Sequence, residues 1–389
     1  MKIFLLFYFI VLSLLVQGQN KISPGDKKAS KLFEQAMSAY NNRLINKALD
    51  FLNEAIAADS MFLNAYLLQS DIYQDIDSVN LQIKSFKAAL RIAPDSNPKL
   101  YYLLGKAYFR KGIYQKASDS YHNYLDRCES NSPLASKAKQ SIIRCGGAIN
   151  LLKNPVPFQL VNLGPNINSA DDEYWPSITL DGKTLIFTRL VGSKTNSGNS
   201  LPVPQEDFYT STLINGVWQP SVPMSSINTE YNEGAQSIST DGNLLFFTAC
   251  TRKDGRGSCD IYFSRNNAGK WSQPQNAGEP VNSPAWESQP SISANGEYLY
   301  FVSSREGGKG GMDLWKCKLK GFTEWGTPIW GKAVNLGDSI NTPGNEMSPF
   351  IHSDGKTLYF ASDYWPGMGG YDIFYSRQKN DSVWSTPQN

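Results

Sequence analysis

The chain has 389 residues, with 37 Lys+Arg against 35 Asp+Glu and a net charge of +2. Near neutrality removes the electrostatic footprint of a nucleic-acid binder. Two His and five Cys leave little for metal chemistry and form no zinc-type cluster in the sequence, and the length allows two or more domains with separate cores.

Lys2 precedes an almost unbroken apolar run from Ile3 to Val16, and Val16-Gln17-Gly18 offers small residues for cleavage. The run is short for a membrane span and has no stop-transfer flank, so residues 1–18 read as a secretory signal peptide. No Cys lies near the cleavage point, which argues against a lipid anchor there. No later stretch has the apolar length of a membrane helix. The expectation is an exported protein of an oxidising compartment, the periplasm.

Residues 28–152 carry helical patterning. Tyr101, Leu104, Gly105 and Tyr108, followed by Gly112, Tyr114 and Ala117, match the tetratricopeptide pattern. Gly105 and Ala117 let two helices approach, while Leu104, Tyr108 and Tyr121 fill the space between. A weaker copy, with Tyr66, Ser70, Tyr73, Phe86, Ala89 and Pro94, lies 34 residues earlier. Leu32, Ala36, Ala48, Leu52 and Ala55 form another. Ser132-Pro133 supplies a cap and a first-turn proline for a helix that covers the end of the stack. A generic helical bundle is the plainer alternative. Such a stack presents a concave face to a peptide or partner helix.

Asn154-Pro155-Val156-Pro157 ends the helices, and all nine Trp lie from Trp175 onward. Residues 153–389 then read as short strands around a fourfold unit. Glu173, Glu233, Glu287 and Glu346 each stand eight residues before a turn: Asp181-Gly182, Asp241-Gly242, Asn295-Gly296 and Asp354-Gly355. Turn-to-turn spacings are 60, 54 and 59 residues. Each turn joins two strands, because Gly tolerates the positive φ of a tight hairpin. A third strand opens on Asp207, Asp260, Asp313 or Asp372, and a fourth is expected at Trp218, Trp271, Trp325 or Trp384. In the last copy the strands are expected at Pro349–Ser353, Thr357–Ala361, Asp372–Arg377 and Trp384–Gln388. Four antiparallel strands per repeat indicate a β-propeller. Phe158–Leu163, ahead of the first unit, resembles Val334-Asn335-Leu336-Gly337 and makes one outer strand too many. The ring is therefore expected to be open or incomplete, with four visible blades.

The Ser/Thr-x-Asp-Gly-x-x-Leu-x-Phe turns, as at Ser353 to Tyr359-Phe360, and the Asp-Ile-Tyr tags resemble the TolB-type, WD40-like propellers of exported bacterial proteins. Lys153 to Phe158, Asn162-Leu163-Gly164 and Ile167-Asn168-Ser169 resemble the junction in cell-envelope proteins of Bacteroidota, in which tetratricopeptide repeats precede this propeller. The resemblance covers residues from about 30 to 389. It implies a place in the periplasm or at the outer membrane, among OmpA-family relatives, some of them associated with type IX secretion. Many relatives continue into an OmpA-like domain that is absent from this sequence, which puts direct peptidoglycan binding in doubt.

Four Glu at one repeat position would line an axis or a belt between blades. They would either hold Ca²⁺ through oxygen ligands or, more ordinarily, cap backbone amides. The tag Asp residues are expected to bind amides of the loop before them. A sialidase-like site is disfavoured, because Asp and Gly are adjacent in the turn and no pair of carboxylates stands apart from the repeat. His122 and His352 accompany no nucleophile elbow. Cys250 and Cys259 flank one loop and are expected to form a disulfide; Cys128 and Cys145 are a second candidate pair. Cys317 replaces Ser211, Ser264 and Ser376 of the other repeats and is expected to be a buried thiol. Trp286, Trp330 and Trp365, at loop-like positions, would stack on sugars or cover blade edges.

The expectation is a non-enzymatic scaffold without cofactor that binds protein partners in the cell envelope. A glycan-binding or glycan-hydrolysing propeller is the alternative.

Overall fold

The structure, a computed structural model, describes residues 26–95, 97–129, 131–153, 155, 159–192, 204–380 and 383–389. The signal peptide read from the sequence lies outside them. The chain divides into two compact units after Lys153.

The first unit is a tetratricopeptide-type stack of seven helices among the described residues. These are α1 (Lys27–Asn41), α2 (Ile45–Ala58), α3 (Leu63–Asp75), α4 (Val79–Ile92), α5 (Lys99–Arg110), α6 (Tyr114–Leu125) and α7 (Pro133–Lys153). They pack as three successive hairpins, with α7 laid on α6. The hairpin turns place Arg43, Asp77 and Gly112 in the left-handed region, at φ 62°, 52° and 76°. A repeat of nearly constant length therefore shows in the backbone as well as in the side chains. Fully buried Ala36, Ala48, Ala55 and Ala65 bring the helices close, and Leu52, Ile72 and Phe86 fill the space between them. At Gly105 a Cβ would stand 2.7 Å from the Tyr121 ring, so only glycine fits there.

The second unit is four antiparallel sheets in a propeller-like arrangement. The first holds β1 (Asp172–Ile178), β2 (Thr184–Val191), β3 (Gln205–Ile214), β4 (Val217–Trp218) and β5 (Val222–Pro223). The second holds β6 (Glu233–Ile238), β7 (Leu244–Cys250), β8 (Cys259–Asn267), β9 (Lys270–Trp271) and β10 (Gln275–Asn276). The third holds β11 (Glu287–Ile292), β12 (Tyr298–Ser303), β13 (Asp313–Phe322), β14 (Pro328–Trp330) and β15 (Val334–Asn335). The fourth holds β16 (Glu346–Ile351), β17 (Thr357–Ser362), β18 (Asp372–Asn380) and β19 (Val383–Trp384). The inner strand of each later blade packs on the sheet before it. Apolar clusters fill each interface. Between blades two and three, Phe246, Ile261 and Val281 meet Leu299, Phe301 and Trp330.

The Asp-Gly and Asn-Gly turns form as read. Gly182, Gly242, Gly296 and Gly355 have φ of 67°, 71°, 71° and 65°. The preceding side chain accepts from the amide two residues on: Asp181 from Lys183 at 3.0 Å, and Asp354 from Lys356 at 2.8 Å. In the second turn a hydrogen bond from Ser239 is the first of several that lower the pKa of Asp241.

Three expectations are corrected. The first strand of blade four starts at Glu346 and its outer strand is split, with only a bridge between Tyr375 and Gln388 beyond β19. Pro387, like Pro220 and Pro274, has no N–H with which to continue the ladder. In blade three Trp325 does not open the outer strand. It sits at an exposed hairpin tip, and Trp330, paired with Leu319, takes the place held by Trp218 and Trp271. Finally, Cys128 and Cys145 are both free thiols. The Cys128 Sγ is directed back to the Leu125 carbonyl at the end of α6, whereas Cys145 is buried within α7.

The array is open. No strand of the fourth blade packs closely on the first among the described residues. Of the surplus strand, Phe158 lies outside the described residues. Gln159 to Leu163 is irregular and exposed and pairs with no described strand.

Candidate functional site

The fourfold Glu are clips. Each accepts from the backbone N–H and the hydroxyl of a Ser or Thr four residues earlier. For Glu287 both bonds from Ser283 are 2.7 Å; for Glu346 those from Thr342 are 2.7 and 2.6 Å. Thr229 serves Glu233 and Ser169 serves Glu173 in the same way. A partner from the second strand completes the set: Ser303 on Glu287 at 2.6 Å, Ser362 on Glu346 at 2.7 Å, and Arg189 on Glu173 at 2.8 Å. Ala249 stands at this place in blade two. Among the described residues Glu233 thus keeps only the Thr229 bonds, and burial raises its pKa to about 7. Burial also raises Glu346, whereas at Glu173 the bonds from Ser169 and Arg189 outweigh burial and lower it. No three His, Cys, Asp or Glu converge on one point among the described residues.

The tag Asp residues hold the loops before them. Asp260 accepts from Arg256 N at 2.7 Å, Asp313 from Gly310 N at 3.0 Å, and Asp372 from Gly369 N at 2.8 Å. The adjacent glycines are required by space: a Cβ on Gly310 would stand 1.9 Å from the Gly344 carbonyl. In blade one Asp207 accepts from Gln205 instead, at 3.2 Å.

A residue that the sequence reading used only at its first occurrence completes the clip. Asn228, Asn282 and Asn341 stand five residues before Glu233, Glu287 and Glu346. Each binds both backbone groups of one residue on the third strand of the preceding blade. Asn282 accepts from Ile261 N and donates to Ile261 O, both at 2.8 Å; Asn341 does so with Leu314 at 2.8 and 2.9 Å. The two-residue Asn-Ser/Thr connector therefore ties one blade to the next. A second unforeseen feature is a bulge in every inner strand. It places Trp175, Ala235, Gln289 and Ser348 at φ of 52° to 58°.

The three loop tryptophans are largely covered. Trp330 is buried against Phe246 and donates to Ala277 O at 3.2 Å. Trp286 packs on the interface of blades three and four. Trp365 donates to Ile340 O at 3.0 Å, and with Tyr364, Pro343 and the Lys309–Asp338 ion pair it lines a cavity of about 350 Å³. His122 is bonded to Ser118 O within α6, and His352 accepts from Asp354 N at the fourth turn. Cys250 and Cys259 are cross-strand partners joined by a disulfide. Cys317 is a buried free thiol whose pKa burial pushes up to about 12.

In the helical unit, charge gathers on α3, α5 and α7, the first helices of the second and third hairpins and the terminal helix. Lys106 is solvent-accessible, yet desolvation lowers its pKa, with Arg110, Lys137 and Lys99 adding repulsion. On α3, burial and then repulsion from Asp75 raise Asp71 to about 6, against the pull of Lys99. Asp71 and Asp75 thus lie on α3, and the basic residues lie on α5 and α7.

No protein-family model matches the sequence, and no curated protein matches it. Solved structures similar to part of the chain include the first TPR of Spaghetti (RPAP3) bound to an HSP90 peptide, 18% identical over 32% of this chain and 94% of that one, with a TM-score of 0.28. The Yersinia enterocolitica type III secretion chaperone SycD, in complex with a peptide of the translocator YopD, is 15% identical over 34% of this chain and all of that one, with a TM-score of 0.28. PilW, a type IV pilus biogenesis factor, is 18% identical over 33% of this chain and 57% of that one, with a TM-score of 0.27. The class that the coordinates define is a tetratricopeptide-type solenoid followed by a four-bladed, propeller-like array.

Proposed function

We propose that this chain is an exported, non-enzymatic scaffold of the bacterial cell envelope, at the periplasm or the outer membrane. In this reading the solenoid groove binds an acidic segment of a protein partner, and the propeller-like unit is a second interaction module. The observation that carries it is the placement of Lys99, Lys106 and Arg110 on α5 and Lys137 on α7, near enough for the other three to add to the desolvation that lowers the Lys106 pKa. Cations held close together in a concave, partly desolvated site lose repulsion energy when an anionic chain enters. The envelope assignment is supported by the N-terminal apolar run and by the resemblance of the Asp-Gly and Asp-Ile-Tyr repeats to exported bacterial propellers.

Fluorescence anisotropy of the full chain with a labelled Glu-rich peptide tests the groove. Binding is expected to weaken with salt and to weaken about tenfold or more in Lys106→Glu, since one close charge pair across an interface is worth about 1.5 kcal/mol or more. Salt-independent binding, or a Lys106→Glu protein that binds as well as wild type, would sink this reading. Cell fractionation checks the compartment, and recovery in the cytosol would count against it. A glycan reading retains one specific observation, the cavity beside Trp365 and Tyr364. A saccharide-binding assay that is positive for wild type and negative for Trp365→Ala would favour it.

A further inference from the structure

The helical unit holds a second basic site, made of other residues than the cluster on α5 and α7. It is a cavity of about 500 Å³ lined by residues of α2, α3 and α4. Its volume is that of sites that hold small molecules. Lys84, Lys87 and Arg91 of α4 line it, and no Asp or Glu does. The three stand at steps of three and four residues, so they share one face of the helix and span about 10 Å of its axis. None of them forms an ion pair or hydrogen bond with a described residue.

The neutral groups of the cavity are unmatched in the same sense. Gln69 and Ser85, 8% and 2% exposed, lie deepest. Gln69 donates to Asn53 Oδ1 at 3.1 Å and accepts from Ser85 Oγ at 2.7 Å, which fixes its amide. The Asn53 oxygen is thereby engaged, and its NH₂ group donates to no described residue. The Tyr73 hydroxyl also has no partner among the described residues, although burial raises its pKa. A phenol withdrawn from water ordinarily finds an acceptor.

Unmatched donors and unmatched positive charge meet in one concavity. The complementary ligand has acceptors only and carries more than one negative charge. Oxyanions meet both demands, because each oxygen accepts from N–H and O–H donors and the charge strengthens every bond.

We propose that this cavity binds a small polyanion, whose phosphate or carboxylate groups lie along α4 against Lys84, Lys87 and Arg91, with one oxygen accepting from Tyr73. The site shares no residue with the cluster of Lys99, Lys106, Arg110 and Lys137 proposed to bind an acidic segment.

The test is isothermal titration calorimetry of the purified full chain, with inorganic tripolyphosphate and with citrate as separate probes. One site per chain is expected for at least one of them, and the tighter probe tells phosphate from carboxylate. Lys87→Glu and Arg91→Glu should each weaken that binding about tenfold or more, the worth of one close charge pair. Tyr73→Phe should weaken it about tenfold, the worth of one hydrogen bond to a charged group, without lowering the melting temperature. Binding lost in Lys106→Glu but kept in Lys87→Glu would place the anion on α5 and α7 and overturn the proposal, while leaving the reading of the groove intact. No saturable binding of either probe overturns it as well, and so does equal binding by wild type, Lys87→Glu and Tyr73→Phe. A Glu-rich peptide that fails to bind would sink the groove without changing these titrations, so the two readings fail separately.

Discussion

Asn282 holds Ile261 by both ends of its peptide environment, accepting from the N–H and donating to the carbonyl at 2.8 Å each. Both residues are buried and lie in different segments of the chain. The bond therefore fixes the connector to the blade it leaves, just as Ser283 fixes it through Glu287 to the blade it enters.

Asn282→Ala should therefore leave the buried Ile261 N–H unsatisfied, while the Ile261 carbonyl keeps the Ala277 N–H at 2.9 Å. The expected loss is about 1–3 kcal/mol, the cost of one such group. All nine Trp lie in the propeller half of the sequence, so Trp fluorescence in a urea titration reads this unit selectively. Asn168→Ala, which removes no side-chain bond to a described residue, should leave the same transition in place.

Glu233 sets a pH dependence. Its carboxyl titrates near 7 when folded, against an ordinary value of 4.5. Between these values the native state binds more protons than the unfolded state, so stability is greatest below about 4.5 and falls as pH rises towards 7. Glu233→Gln should remove this slope. The gap between mutant and wild-type stability should widen in the mutant's favour by up to about 3 kcal/mol over that window. Parallel denaturation curves at pH 5 and 7.5 for both proteins, giving an unchanged gap, would contradict the assignment.

The cysteines give a countable outcome. Denatured but unreduced protein should expose three thiols, Cys128, Cys145 and Cys317, and reduction should bring the number to five. Cys250→Ala/Cys259→Ala should cost about 2–3 kcal/mol, the loop-closure value for a bridge that spans nine positions. Mass spectrometry after alkylation, with and without reductant, reads the count directly.

Gly105→Ala runs against helix propensity. Alanine ordinarily stabilises a helix by about 1 kcal/mol relative to glycine. Here the added methyl meets the Tyr121 ring at 2.7 Å, and the overpacking should cost about 1–3 kcal/mol instead. Thermal melting followed by far-ultraviolet circular dichroism checks the sign, and a more stable variant would show that the ring gives way freely.

The groove should respond to acid. Asp71 titrates near 6, so lowering the pH from about 7.5 to 5.5 removes a negative charge beside Lys99. A Glu-rich peptide remains largely ionised over this range. Its affinity should rise, and Asp71→Asn should abolish the rise.

The parts of the fold that were legible in the sequence are those whose partners lie nearby in the chain. Asp354-Gly355 announces its hairpin because the turn chemistry is local, and Leu104, Gly105 and Ala117 announce a helical repeat because small and large residues alternate at fixed steps. The Glu ladder was visible by spacing, but its hydrogen-bond partners were not. The connector asparagines were harder to see, because Asn282 recognises a backbone and any residue can stand at Ile261. Only their constant distance from the Glu would have exposed them. The left-handed residues at Trp175, Ala235, Gln289 and Ser348 share no side-chain chemistry, and nothing in their identity signals a bulge. Trp325 misled for a related reason: the longer hairpin in blade three moved the outer strand, and Trp330 took its place.

The connector also determines where one module ends and the next begins. A sheet looks like the natural building block, but its inner strand is anchored by residues that precede it, on a segment still bonded to the sheet before. The portion of chain that could be copied, deleted or transplanted without parting a Glu from its cap therefore runs from one asparagine to the next, and each copy finds its asparagine's receptor on the sheet before. An engineer adding a blade to this array should cut just ahead of Asn228, Asn282 or Asn341. A cut at the sheet boundary that begins with Glu233 or Glu287 would leave a buried carboxylate without its cap.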